Sequence, residues 1–112
     1  MSDQRTSPRK RVTEKIDIID VNREEYLGNL VNISAGGFML LCSDPPPTNQ
    51  LFQLRMSLPA SVAGADHIDM GAECLWCNSV SDSGSWWAGF QIIDISDQGV
   101  ELIRHLFDEW AE

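Results

Sequence analysis

Polar and apolar residues alternate through most of the chain, which is the pattern of half-buried β-strands. The strand-like segments fall at 12–20, 26–33, 38–42, 51–58, 68–77 and 86–93. No helical pattern separates them, so the spacing predicts an all-β fold, either an antiparallel barrel or a sandwich. A closed barrel would leave no exposed strand edge.

The segments between these strands carry turn residues. Ser34, Ala35, Gly36 and Gly37 predict a hairpin in which glycine supplies a positive φ angle. The three prolines at 45–47 predict an irregular connection, because proline cannot donate to a strand ladder. Small residues at 59–66 and polar residues at 78–85 predict two further loops.

The last part of the chain changes to a helical period. Apolar residues at Val100, Ile103, Leu106, Phe107 and Trp110 form one stripe and predict an amphipathic helix at about 96–111. Ser96 or Asp97 can cap its first turn, since their side-chain oxygens accept hydrogen bonds from free backbone amides. The stripe is expected to pack on the barrel, with docking of a partner protein as the alternative.

A chain of 112 residues is sufficient for one domain. We predict a flexible N-terminal arm at 1–11 and a barrel domain with its C-terminal helix at 12–112. No segment approaches the roughly 18 apolar residues that would span a bilayer, and the polar N-terminus lacks the apolar core of a secretory signal. We therefore expect a cytoplasmic protein without membrane insertion.

Positive charge is concentrated at the N-terminus. Five of the eight basic residues lie within the first fifteen, whereas residues 16–112 contain three basic and fifteen acidic side chains. A cationic arm on an acidic body favours a compact anion over a long polyanion, which that body would repel. A single-stranded nucleic-acid binder, which the strand pattern alone permits, is therefore disfavoured. A solvated tail is the alternative for the arm itself.

The residues most often used in catalysis and metal binding form no recognisable constellation. Cys74 and Cys77 make a CxxC, but on a strand positions three apart are expected to face opposite sides, and no second ligand pair is present. We therefore expect both cysteines, and Cys42, to be small buried apolar residues, with no metal bound. No cysteine or carboxylate constellation accompanies His67 or His105 in the sequence. We therefore expect no enzyme activity.

Two short motifs carry binding chemistry. The first is Arg5-Thr-Ser-Pro-Arg9, in which Pro8 disfavours helix and presents the guanidinium groups from an extended segment. Such groups can grip a phosphate or the O6 and N7 atoms of guanine with two hydrogen bonds. The second is Asn32-Ile-Ser34-Ala-Gly-Gly37, which offers amide and hydroxyl groups beside two glycines. Taken alone, this second motif is also compatible with a plain β-turn.

Together these motifs resemble those of the PilZ domain family, RxxxR followed by (D/N)xSxxG. The resemblance extends over nearly the whole chain, through the hairpin around Ser34, the segment WWAGF at 86–90 and the C-terminal helix. It implies a six-stranded antiparallel β-barrel of the split-barrel type and cyclic di-GMP as ligand, without a further cofactor. The implied function is second-messenger signalling by nucleotide binding.

The resemblance also implies roles for individual residues. Arg5 and Arg9 would neutralise the dianion and contact the Hoogsteen edge of guanine, Asn32 and Ser34 would meet a guanine edge and a phosphate, and Gly37 would keep the turn open. Ligand binding would fold the arm onto the barrel and change the surface shown to an unidentified downstream protein. The alternative is a PilZ-like adaptor that binds proteins without cyclic di-GMP. Tryptophans 76, 86 and 87 could add stacking area, although structural packing is the commoner role.

Overall fold

The computed structural model describes residues 10–11, 16–34, 36–62 and 65–109. Its elements, in chain order, are β1 (Lys10–Arg11), β2 (Asp17–Asp20), β3 (Glu25–Ile33), β4 (Gly37–Cys42), β5 (Leu51–Val62), β6 (Ala65–Ser79), β7 (Trp86–Ile95) and α1 (Asp97–Glu109). Strands β2 to β7 form a closed six-stranded antiparallel barrel, in the order β3-β2-β5-β6-β7-β4 with β4 paired again to β3. This confirms the predicted fold class.

The barrel interior is filled by alternate residues of every long strand. Leu40 on β4 is fully buried, as are Leu54 and Met56 on β5. Phe38 and Phe90 face each other across β4 and β7 with their rings stacked at a centroid distance of 5.4 Å. The period-2 pattern of the sequence therefore corresponds to an inner apolar face and an outer, more polar face.

The prediction of a loop at 59–66 is wrong. Strand β5 continues to Val62 and β6 already begins at Ala65, so this segment is a long hairpin. The register between β5 and β6 is irregular between Ser57 and Val62. An interruption of the ladder at this point tolerates Pro59, because proline has no backbone N–H to donate there.

Helix α1 begins where the sequence predicted. The Ser96 hydroxyl accepts a hydrogen bond from the Gly99 backbone N–H at 3.0 Å, so Ser96 is the N-cap. Leu102 and Ile103 belong to the core, which confirms packing on the barrel. The predicted stripe is wrong at Val100, which is 49% exposed, because the buried face is centred on Leu102 and Ile103. Trp110 lies outside the described residues.

The short strand β1 joins the N-terminal segment to the barrel. It pairs antiparallel with the end of β3, Lys10 opposite Ile33 and Arg11 opposite Asn32. The rest of the predicted arm, residues 1–9, lies outside the described residues, so the boundary between residues 11 and 12 stays a prediction. Within the described part of the chain, no helix is long and apolar enough to cross a membrane.

Candidate functional site

Residues 32–37, which we name the motif corner, connect β3 to β4 at one end of the barrel. The Ser34 backbone N–H donates to the Gly37 carbonyl oxygen at 2.8 Å. The Ser34 hydroxyl donates to the same oxygen at 3.3 Å, and the residue is only 7% exposed. Ser34 therefore holds the corner closed by two contacts to one carbonyl.

Gly37 is required by close packing. A Cβ atom at this position would lie well inside van der Waals contact of the Phe90 carbonyl oxygen on β7. The expectation that a glycine supplies positive φ in this turn is wrong, because neither Gly36 nor Gly37 has such an angle. The absence of a side chain allows β4 to approach β7 closely at the corner.

Gly36 differs from its neighbour. It is exposed, and a Cβ atom built on it would meet nothing within 4 Å. Its carbonyl oxygen accepts a hydrogen bond from the Ile92 backbone N–H at 2.9 Å. The corner is thus fixed to β7 through backbone groups, while the outer side of Gly36 is open.

The start of β1 lies directly beside this corner. Lys10 pairs with Ile33, the residue that precedes Ser34, and Arg11 pairs with Asn32. Strand pairing therefore places the two residues that directly follow the first motif beside the start of the second. Arg5 and Arg9 themselves lie outside the described residues, and their roles stay predictions.

Asn32 belongs to a row of residues that crosses the outer face of four strands. Strand register places Asn32 on β3 opposite Met39 on β4, Met39 opposite Gly89 on β7, and Gly89 opposite Trp76 on β6. We call this set the outer row. Asn32 and Met39 are half-buried. The neighbours of Asn32 on β4, β7 and β6 follow only from the strand register.

The CxxC segment contains a β-bulge that overturns one prediction. The pairing of β6 with β7 shifts between Cys74 and Trp76, which leaves Leu75 as the extra residue. As a result Cys74 and Cys77 both face the core instead of opposite sides. Burial raises the pKa of the Cys74 thiol to about 11 and that of Cys42 to about 12. Among the described residues, no group of three or more His, Cys, Asp or Glu residues could hold a metal ion.

Strands β3, β4 and β7 carry no cationic residue, whereas the short strand β1 beside them consists of Lys10 and Arg11. Arg23, Arg55 and Arg104 are the only cations whose side chains the structure describes, and none belongs to β3, β4 or β7. Arg55 is paired with Asp69 on the neighbouring strand at 2.8 Å, and its hydrogen bond to that carboxyl lowers the pKa of Asp69. An anion at the outer row would therefore have to obtain its counter-charge from outside these three strands.

Comparisons with known proteins agree with this geometry. The family model described as the PilZ domain matches residues 3–109, a range that includes both sequence motifs. No curated protein matches the sequence.

Several solved structures share the fold. The PilZ domain with cyclic di-GMP of YcgR from Escherichia coli has a TM-score of 0.73 at 13% identity, with 96% of this chain and 92% of that chain covered. The Klebsiella pneumoniae MrkH complex with cyclic di-GMP gives 0.73 at 17% identity, and the Bacillus subtilis inhibitor of motility MotI gives 0.72 at 18%. For both, the match covers 96% of this chain and 52% of the other, so this chain spans about half their length.

Proposed function

The chain belongs to the PilZ domain family, and from this premise we propose that it is a receptor for cyclic di-GMP that binds at the motif corner. The observation that carries the proposal is the pairing of β1 with β3. It places Lys10 and Arg11, the residues that directly follow the RxxxR segment in the sequence, opposite Ile33 and Asn32. The YcgR and MrkH structures that share the fold contain cyclic di-GMP, which supports the same ligand here.

The distribution of charge supports a binding site completed by the arm. Cyclic di-GMP is a dianion, and β3, β4 and β7 carry no cationic residue. Arg5 and Arg9 precede β1 in the sequence, and guanidinium groups can bind phosphate or the Hoogsteen edge of guanine with two hydrogen bonds. The arm would supply the charge, and the barrel would supply the polar groups and the surface.

The corner residues would have different functions. Asn32 is half-buried on the outer face and offers both amide donors and a carbonyl acceptor to a guanine edge. The Ser34 hydroxyl donates inward to Gly37, so it must rotate before it can donate to a phosphate. Gly37 would act indirectly, by allowing the corner to approach β7.

Binding would also change the surface of the protein. Ordering a residue costs about 1–2 kcal/mol in backbone entropy, whereas a hydrogen bond to a charged group contributes about 1.5–3 kcal/mol. Two arginines that each make more than one such bond can therefore offset the ordering of a short segment. The arm fixed on the barrel would form a new surface for a downstream protein.

The direct test is calorimetric titration of cyclic di-GMP into the wild-type protein and the Arg9→Ala variant. We expect the substitution to weaken binding roughly thirty- to a thousandfold, which corresponds to about 2–4 kcal/mol. Lys15→Ala is the matched control, because it removes the same charge outside both motifs. If both variants bound cyclic di-GMP equally weakly, Arg9 would contribute only nonspecific electrostatic attraction.

The location of the ligand can be tested by NMR during the same titration. We expect the largest shift changes in residues 5–12 and 32–37. An absence of shifts at a large excess of cyclic di-GMP would contradict the proposal and favour the alternative, an adaptor that acts through protein contacts alone.

A further inference from the structure

We propose that, in the ligand-free protein, residues 4–7 of the N-terminal segment add a strand to the free edge of β6 beside α1. The groove that would hold them, which we call the edge groove, is lined by residues 65–69 of β6 and by Ser96, Gln98, Gly99 and Leu102. The strand addition goes beyond the proposed function. Only its competition with cyclic di-GMP rests on that function.

Strand β6 has a neighbouring strand on only one side at its beginning. Its register with β5 continues to His67, whereas its register with β7 begins at Met70, opposite Ile95. Beyond Ile95 the chain turns into α1, so within the described ranges no strand lies on this side of residues 65–69. Backbone N–H and C=O groups of a strand point to both sides, so this edge can pair with a further strand.

The edge groove gives an added strand room and a second wall. Its volume is about 550 Å³, in the range of pockets that bind small ligands. Five consecutive residues of β6 line one side, and the beginning of α1 lines the other. Addition of an extended segment to an exposed strand edge is a common mode of peptide recognition, in which main-chain hydrogen bonds supply the affinity.

The charge of the edge groove favours a cationic occupant. Asp66 and Asp69 line it, and Asp97 lies in the first turn of α1. The nearby guanidinium of Arg55 is already paired with Asp69 at 2.8 Å. An arginine of the added strand would therefore enter a region of net negative charge.

The topology places the edge groove and the start of β1 at the same end of the barrel. Strand β3 runs toward the motif corner, so its antiparallel partner β1 begins at that end. Strand β4 begins at the corner, its antiparallel partner β7 ends there, and β6, antiparallel to β7, begins there. The cationic residues that precede β1 in the sequence therefore belong to the segment best placed to occupy the groove.

The N-terminal segment is long enough to reach the edge of β6. Strands β1 and β2 both pair with β3 on the side away from β4. The register Ile18–Met56–Ile68 places β6 two strand spacings from β2, or about 10 Å. Residues 1–9 precede β1 and can span up to about 30 Å.

The sequence of the segment suits a short added strand. Residues 4–7 are Gln-Arg-Thr-Ser, each with a backbone N–H, whereas Pro8 has none and would end the ladder. Pro8 also disfavours a helical conformation at Ser7. Cyclic di-GMP and the edge groove would compete for Arg5, so the apparent affinity for the ligand would fall with the fraction of molecules whose segment is free.

Amide hydrogen exchange in the ligand-free protein tests the strand addition. Adjacent N–H groups of a strand point to opposite sides, so either Thr6→Pro or Ser7→Pro must remove one that bonds to β6. In that variant, the amides of residues 65–69 that are not bonded to β5 should exchange about tenfold faster than in wild type. Ser2→Pro is the matched control and should exchange as wild type does.

Two outcomes of the exchange measurement would refute the added strand. One is wild-type exchange at residues 65–69 in both Thr6→Pro and Ser7→Pro. The other is protection that persists in both variants and increases with protein concentration, which would assign the edge to a second copy of the chain.

Calorimetric titration with cyclic di-GMP tests the competition. Asp66→Asn combined with Asp69→Asn should strengthen binding about three- to tenfold, the gain expected if the segment occupies the groove in about 70–90% of ligand-free molecules. Asp44→Asn combined with Asp82→Asn is the matched control, because it removes two exposed carboxylates outside the groove, and should bind within about twofold of wild type. If the two double variants bind alike, the competition is refuted while the receptor function stands. If wild type does not bind, the receptor function and the competition are both refuted, and the exchange measurement decides the strand addition.

Discussion

Replacing Gly37 by alanine should destabilise the barrel through a single collision. The new Cβ would lie far too close to the Phe90 carbonyl oxygen, which is backbone and cannot rotate away. Strands β4 and β7 must separate locally, and overpacking of this kind typically costs about 1–3 kcal/mol. The movement also strains the bonds from Ser34 to the Gly37 carbonyl and from Ile92 to the Gly36 carbonyl, each worth about 0.5–1.5 kcal/mol.

The expected loss in the free energy of unfolding is therefore about 2–4 kcal/mol. It can be measured by urea denaturation followed by circular dichroism, with Gly36→Ala as the matched control. That neighbouring substitution meets open space and should change stability by about 0.5 kcal/mol or less. If Gly37→Ala were as stable as Gly36→Ala, the close approach of β4 to β7 would not be the reason for this glycine.

Two further predictions concern stability alone. Ser96→Ala removes the N-cap acceptor for the Gly99 amide and should lower the free energy of unfolding by about 1 kcal/mol in the same urea assay; an unchanged midpoint would contradict the cap. Burial raises the pKa of Cys42 from 9.0 to about 12, so its protonated form stabilises the fold below about pH 9, and this contribution is lost as pH rises toward 12. Stability measured from pH 8 to 11 should therefore fall more steeply in wild type than in Cys42→Ala, and equal slopes would refute this assignment.

The strands and the helix of the barrel domain could be predicted because each has a pattern that is visible in its own residues. Alternation locates strands from their own residues, and a helical period identifies α1 without knowledge of its neighbours. The prediction failed at 59–66, where small residues and Pro59 resemble a loop although pairing with the opposite strand keeps the chain extended. It failed at Val100 because the direction of the buried helix face depends on where the barrel lies.

The candidate site was predictable in part. Asn32, Ser34 and Gly37 form one corner, as their spacing implied, and strand pairing brings Lys10 and Arg11, which follow the RxxxR segment, beside it. The outer row could not be predicted, because a single bulged residue at Leu75 decides which side of β6 Trp76 occupies. The same bulge explains why the argument from CxxC spacing was wrong about the direction of Cys77.

The pairing of Lys10 with Ile33 limits how far the Cα atoms of Arg9 and Arg5 can lie from the barrel. Covalent geometry limits the Cα of Arg9 to about 3.8 Å from that of Lys10, whereas Arg5, five residues away, can range over about 18 Å. Arg9 would therefore lose few positions when the ligand binds. Most of the loss in conformational entropy on binding would come from ordering the segment that holds Arg5. A residue inserted between Arg9 and Lys10 would lengthen the tether of both arginines, whereas an extension before Arg5 would change neither.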